Sequence, residues 1–281
     1  MKKHLLIAIS IFTFILLAAC SNTETTTTAS KSAEPEPEQE QEVTVLKVGA
    51  SSVPHAEVLE YLAPDLEKEG VKLEIITGND GIQTNQLTAD GELDFNYFQH
   101  IPYMEQVNSE AGLNLVNVAG IHIEPFGVYS KTISDIQDLP QGAKVAVPKD
   151  VVNFSRALLL FQENGIIKLD ANKNGDFTIE DILENDKEIE FIGVDGALLN
   201  RSLDDVDAAA INTNYALEGG FNPVEDALII EDANSPYVNI ISALPERKDD
   251  QAIQTVVKWL TSEKARAFLE SEYGGAVVPA F

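Results

Sequence analysis

From residue 45 onward, short apolar runs alternate with stretches of helical periodicity, and that alternation narrows the fold more than any other feature of the chain. Val45-Leu-Lys-Val-Gly-Ala reads as a strand, 54–69 as a helix with Pro54 at its start, 71–77 as a strand, 81–89 as a short helix and 93–98 as a third strand. Residues 103–111 have helical period, and 113–120 and 123–129 read as strands. The pattern then restarts with strand 144–148, helix 153–164, strand 188–193, helix 197–203 and a buried strand at 208–211. Strands at 227–231 and 238–243 and two amphipathic helices at 250–260 and 262–270 close the chain. Strands alternating with helices predict right-handed βαβ units and a largely parallel sheet. The restart predicts two α/β lobes: 44–127 plus 240–281 as the first and 128–239 as the second, with crossings near 126–129 and 237–243 as the hinge. No repeat recurs at a period of roughly 20–50 residues, which excludes a solenoid.

The N-terminus predicts where such a body resides. Met1-Lys2-Lys3 is a basic head, 5–17 is an apolar run interrupted only by Ser10 and Thr13, and Leu17-Ala18-Ala19-Cys20 follows. That order describes a secretory signal peptide over 1–19, too short to span a bilayer. Leu-Ala-Ala-Cys reads as a lipobox, which makes Cys20 the lipidated residue of an exported protein held to the outside of the cytoplasmic membrane through that anchor alone. Residues 20–43 read as a disordered acidic linker: Thr25 to Thr28 and Glu34-Pro-Glu-Pro-Glu lack the apolar side chains needed to offset ordering entropy.

Charge and cysteine content exclude whole classes. The net charge is −27 over 281 residues, against sequence-independent nucleic-acid binding or docking on anionic lipid by a basic patch. Cys20 is the only cysteine, so there is no intrachain disulfide, CxxC motif or thiolate zinc site. The histidines beyond His4 are His55, His100 and His122; no G-x-S-x-G or H-E-x-x-H pattern accompanies them, and the sequence makes no positive case for an enzyme.

Four segments carry candidate binding chemistry. Asn153-Phe-Ser-Arg156 falls at a helix start, where free N–H groups suit an anion, and the Arg156 guanidinium can hold a carboxylate by two parallel hydrogen bonds. Its bland alternative is a helix-capping asparagine beside a surface arginine. Asn96-Tyr-Phe98-Gln-His100-Ile-Pro-Tyr103 ends a strand before a helix, the place where open α/β sheets bind ligands. Asn212 and Asn214 end another strand, and Asn239 stands among apolar strand residues, where it needs polar partners. Separately, Asp170, Asn172, Asn174, Asp176, Thr178 and Asp181 follow the spacing of an EF-hand loop with Gly175 at the sixth position, pointing to a structural calcium ion. Position twelve is aspartate rather than glutamate, and the competing reading is a polar surface turn.

Taken together, these segments resemble the methionine-binding lipoproteins of bacterial ABC importers, the NlpA-type lipoprotein family. The resemblance runs from about Leu46 to Phe281. It rests on Val-Pro-His-Ala-Glu at 53–57, Phe98-Gln-His100 with Pro102-Tyr103, Val-Ala-Val-Pro at 145–148, the Asn153/Arg156 pair, and Arg201-Ser-Leu-Asp-Asp. Ile211-Asn-Thr-Asn-Tyr-Ala, Ser235-Pro-Tyr-Val-Asn and the Gly274-Gly-Ala end complete it. It implies a bilobal type II periplasmic-binding fold that takes methionine between its lobes and delivers it to a membrane permease and its ATPase, with no cofactor required. By the same resemblance Arg156 clamps the ligand carboxylate, and Asn153, Asn212 and Asn239 bond its amino and carboxylate groups. Phe98, His100 and Tyr103 line the side-chain end, which suits a thioether because sulfur–ring contacts are mildly favourable. Family members often carry an aromatic residue after an Asn-Asp pair; here Asn79-Asp80 is followed by Gly81, which points to a missing wall of the pocket. The competing readings are another amino acid or a methionine-containing dipeptide as ligand, a secreted enzyme, and a calcium-dependent surface adhesion protein.

Overall fold

The structure, a computed structural model, describes residues 43–281 apart from Asn79 and Ala233. The signal peptide, Cys20 and all but the last residue of the linker lie outside the described residues.

The first half of the body runs β1 (Thr44–Ala50), α1 (Glu57–Lys68), β2 (Val71–Thr77), α2 (Gly81–Ala89), β3 (Phe95–His100), α3 (Ile101–Ala111) and β4 (Val116–Ile123). The chain then enters a second sheet. It makes β5 (Gly127–Tyr129), β6 (Lys144–Pro148), α4 (Val151–Glu163), β7 (Lys168–Leu169), β8 (Ile182–Glu184) and β9 (Glu190–Val194). The short helices α5 (Leu199–Ser202), α6 (Thr213–Glu218) and α7 (Pro223–Asp226) alternate there with β10 (Ala208–Ile211) and β11 (Ile229–Ile230). It returns as β12 (Val238–Ala243), followed by α8 (Gln251–Leu260), α9 (Glu263–Tyr273) and β13 (Val278–Pro279).

Six strands form the first sheet in the order β13-β4-β12-β3-β1-β2, and five form the second in the order β11-β5-β10-β6-β9. The two sheets are joined at 124–126 and 231–237, which overlap the expected hinge spans of 126–129 and 237–243 at residues 126 and 237 alone. Gly127 already pairs in the second sheet, and Val238 and Asn239 already pair in the first.

The expectation of largely parallel sheets needs correcting: both are mixed. β1 runs parallel to β2 and β3, and β6 parallel to β9 and β10, as βαβ units require. But β12 runs antiparallel to both β3 and β4, and β5 antiparallel to β10. A βαβ crossover returns the chain to the same end of its sheet. β5 and β12 instead arrive directly from the other sheet and enter from the opposite end. The expected strand at 123–129 accordingly divides, with Ile123 closing β4 and Gly127–Tyr129 forming β5.

Helix faces explain the layers. On α8 the buried residues are Ile253, Val256 and Leu260, a stripe at helical spacing that meets Val58, Leu59 and Leu62 of α1 in one apolar core. α4 buries Ala157, Leu158, Leu160 and Phe161 against Val145 and Val147 of β6. Asp150 caps α4, accepting from the Asn153 N–H at 2.8 Å. α3 ends on Gly112 at φ 68°, a left-handed conformation that glycine adopts without steric cost.

Candidate functional site

All the parallel strands point their carboxyl ends at one place. Ser51 follows β1, Gly78 and Asp80 follow β2, and His100 ends β3; Lys149 follows β6, Asp195 follows β9 and Asn212 follows β10. Each of these residues lines a cavity of about 600 Å³ between the two sheets, where open α/β sheets place their ligands. Phe98, His100, Tyr103, Asn153, Arg156, Asn212 and Asn239, read from the sequence in separate segments, all line this cavity.

A hydrogen-bonded chain ties both sheets across it. The His100 Nδ1 accepts from the Tyr103 N–H at 3.2 Å, capping α3. This leaves the proton on Nε2, which donates to Asn153 Oδ1 at 3.2 Å. The same oxygen accepts from Asn212 Nδ2 at 3.2 Å, and Asn153 Nδ2 donates to Asp150 Oδ1 at 3.0 Å. Asn153 is therefore not the cap of α4, which is Asp150; it stands in the first turn and its amide is a junction. Asn212 makes no side-chain cap for α6 and spends its amide on that junction instead.

Arg156 is buried, not a surface arginine, at 3% exposure. Its Nε and Nη2 donate to the two Glu231 carboxylate oxygens at 2.7 and 2.6 Å, and Nη2 also donates to the Glu124 carbonyl at 2.9 Å. The Tyr237 ring lies 4.2 Å from the guanidinium carbon. The two-bond edge expected for a ligand carboxylate is thus taken by Glu231, and Nη1 takes no part in these bonds.

Sequence reading missed Glu124. It is buried, lines the cavity and is met by two imidazoles and a backbone N–H. His122 Nε2 and His55 Nε2 lie 2.8 and 3.2 Å from Oε1, and the Asn214 N–H donates to Oε2 at 2.9 Å. The Tyr97 and Ser51 hydroxyls sit 2.5 Å from the Nδ1 atoms of His122 and His55, which leaves both imidazoles protonated on Nε2. His55 Nε2 also lies 3.1 Å from Asn239 Oδ1. Burial holds His55 down to about 4 and His122 to about 3, so both donate as neutral rings. Burial pushes Glu124 upward, opposed by the nearby His55 and the Asn214 N–H. Two histidines and a carboxylate converging within 4.8 Å match the ligand types of a metal site. Donor and acceptor roles account for all three without an ion. The signal was the pattern Ile121-His-Ile-Glu, which puts a histidine and an acid two apart in an otherwise apolar strand.

The space beside Gly81 is filled from within the chain. A Cβ there would lie 2.7 Å from the Tyr103 hydroxyl oxygen and 2.8 Å from Phe98 Cε2. The wall that glycine was expected to remove is thus supplied by Phe98 and Tyr103, whose rings meet edge to face at 6.3 Å. Gly81→Ala is expected to displace those rings and weaken ligand binding about tenfold, a typical overpacking cost, with the melting temperature within about 3 °C of wild type. Titration calorimetry on both proteins checks this, and equal affinities would show that the ring positions do not matter to the ligand.

In the 170–181 loop, Asp170 Oδ1 turns back on the Asn172 N–H at 2.9 Å. Asp181 accepts from the Thr178 N–H and hydroxyl at 2.8 and 2.9 Å and lies 3.4 Å from the Lys173 ammonium. A calcium ion there would have to displace these bonds and share the loop with a lysine.

A cleft of this kind, walled by two sheets and polar at one end, encloses a small solute, and that is the architecture of a solute-binding protein. The profile of the NlpA lipoprotein family matches residues 46–281, and the chain belongs to that family, one of substrate-binding proteins rather than enzymes. It is 39% identical to the methionine-binding lipoprotein MetQ of Bacillus subtilis over 237 residues, covering 83% of this chain and 86% of that one. Among solved structures, a nutrient-binding protein from Burkholderia cenocepacia bound to methionine superposes with a TM-score of 0.81 at 40% identity, covering 84% of this chain and all of the other. The lipoprotein Tp32 of Treponema pallidum gives 0.81 at 36% identity, covering 84% and 99%.

Proposed function

We propose that this chain binds methionine in the cleft between its sheets and delivers it to a membrane permease powered by an ABC-type ATPase. The observation that carries this reading is the convergence of Arg156, the amides of Asn153, Asn212 and Asn239, and the Phe98–Tyr103 wall around one cavity. In this reading Arg156 Nη1 takes the ligand carboxylate, the amides fix its orientation, and the two rings face the thioether. The relatives named above support the ligand class. The two crossings at 124–126 and 231–237 act as the hinge between the two lobes. Attachment is through lipid at Cys20; no helix among the described residues is long and apolar enough to cross a membrane. No cofactor is needed.

The test is a thermal-shift panel on the purified chain, refolded to remove carried-over ligand. It comprises L-methionine, D-methionine, the other amino acids and methionine-containing dipeptides. A ligand at about 100 times its Kd adds ~2.7 kcal/mol of stability, and for a body of this size that is a rise of roughly 5–10 °C. A rise with methionine is expected. A rise only with another amino acid or a dipeptide moves the ligand assignment and keeps the class. No rise with any member of the panel overturns the reading.

A further inference from the structure

The charges around the cavity are unevenly matched. Its lining holds two cations, Arg156 and Lys149, and each is already taken by a carboxylate: Arg156 by Glu231 and Lys149 by Asp195 at 2.5 Å. Asp80 and Asp150 cap helices. Glu124 is different. Its contacts are two neutral imidazoles and a backbone N–H, so no cation bonds its carboxylate. The arginine nearest to it bonds its carbonyl, not its carboxylate. An ionised carboxylate offers about four acceptor positions, two on each oxygen, and on Oε2 the Asn214 N–H takes one of them.

We propose that Glu124 is the specificity-determining residue for the ligand's α-ammonium group, and that His55 and His122 hold its carboxylate in position for that contact. The inference rests on the methionine reading and goes beyond it, because the amides alone would accept a neutral or an anionic ligand end. A ligand with a carboxylate and no ammonium would set a third negative charge beside Glu124 and Glu231, with one guanidinium among them. The ammonium removes that conflict. A buried ionic contact of this kind is lost at high cost when one partner is neutralised. Asn239, which lines the cavity and reaches His55 Nε2, links the amide end of the site to the same cluster.

The experiment is titration calorimetry on the full chain in detergent with two probes, L-methionine and 4-(methylthio)butanoate, the same molecule without its amino group. Wild type is expected to prefer L-methionine by roughly 100-fold or more. Glu124→Gln keeps the shape and one acceptor oxygen. It is expected to cut that preference to about fivefold or less, with the des-amino probe bound as tightly as by wild type or more tightly, because one of the repelling charges is gone. Equal weakening of both probes by Glu124→Gln would make Glu124 a structural residue and overturn the proposal. So would a wild-type chain that binds both probes within about threefold, a result that needs no variant to fold. A wild-type chain that binds neither probe overturns the methionine reading and this inference with it, whereas the other adverse outcomes leave methionine binding standing.

Discussion

Arg156→Ala is expected to weaken methionine binding by roughly 30-fold or more and to melt about 10 °C below wild type. The two losses have separate causes. Binding falls because Nη1 is the guanidinium nitrogen left for a ligand carboxylate. Stability falls because Glu231, only 11% exposed, loses both of its bonds to the guanidinium and stays behind as a buried charge. Removing one partner of such a pair costs about 3–5 kcal/mol. The Glu124 carbonyl loses a donor at the same time. A double variant, Arg156→Ala with Glu231→Ala, separates these effects. It is expected to recover part of the melting temperature and none of the affinity. Scanning calorimetry and ligand titration on the three proteins check this, and full affinity in Arg156→Ala would remove the arginine from the ligand's binding set.

The second large effect is on pH. His55, His100 and His122 are buried and neutral in the fold, held at about 4, 3 and 3 by loss of solvation, with the Arg156 charge adding to the effect at His100. In the unfolded chain each titrates near its ordinary value of about 6.5. Below that value the unfolded state therefore binds more protons than the folded one, so stability is lost as pH falls from 6.5 toward 4. Between pH 7 and 5 each histidine contributes about 2 kcal/mol of that loss. Glu124 works the other way, because its raised pKa lets the folded state take up a proton first. The three histidines together set an upper bound of about 6 kcal/mol on the loss, which Glu124 reduces, and the melting temperature is expected to be roughly 10 °C lower at pH 5 than at pH 7. The carboxylates with depressed values, such as Asp65 and Asp204, titrate below this window and do not contribute to it. A flat melting temperature across pH 7 to 5 would mean that the three rings bind protons equally in the folded and unfolded chain, and would overturn their assignment as buried neutral groups.

How much of this was legible in the sequence depended on how local its cause was. The junction of β3 and α3 at His100 was legible because a strand run, a histidine and Pro102 succeed one another within a few residues. The same holds for the cluster at Asn212. Parallel pairing was legible only where βαβ units repeat; β5 and β12 run antiparallel because the chain changes sheets, and no periodicity records that. Asp150 against Asn153 as the cap of α4 was a choice between two good capping residues three apart, decided by which one precedes Val151. Arg156 was found, but its partner was not. Glu231 lies 75 residues further on, in a crossing whose position depends on how both sheets assemble. Glu124 escaped for a related reason. Its burial is made by His55, His122 and the start of α6, three separate places in the chain, and in one dimension an acid before a proline looks like any surface turn.

One side chain holds both crossings between the sheets. Arg156 bonds the Glu124 carbonyl at the start of the first crossing and the Glu231 carboxylate at the start of the second. Glu231 in turn accepts from the Phe126 N–H at 3.1 Å. If, as proposed, the crossings are the hinge and Nη1 takes the ligand carboxylate, a solute held there pulls at the pivot itself, and grip and pivot stiffness are coupled. A change that tightens the grip also lengthens the time the solute stays aboard, so an importer fed by such a carrier exchanges scavenging at low supply against turnover at high supply through a single guanidinium.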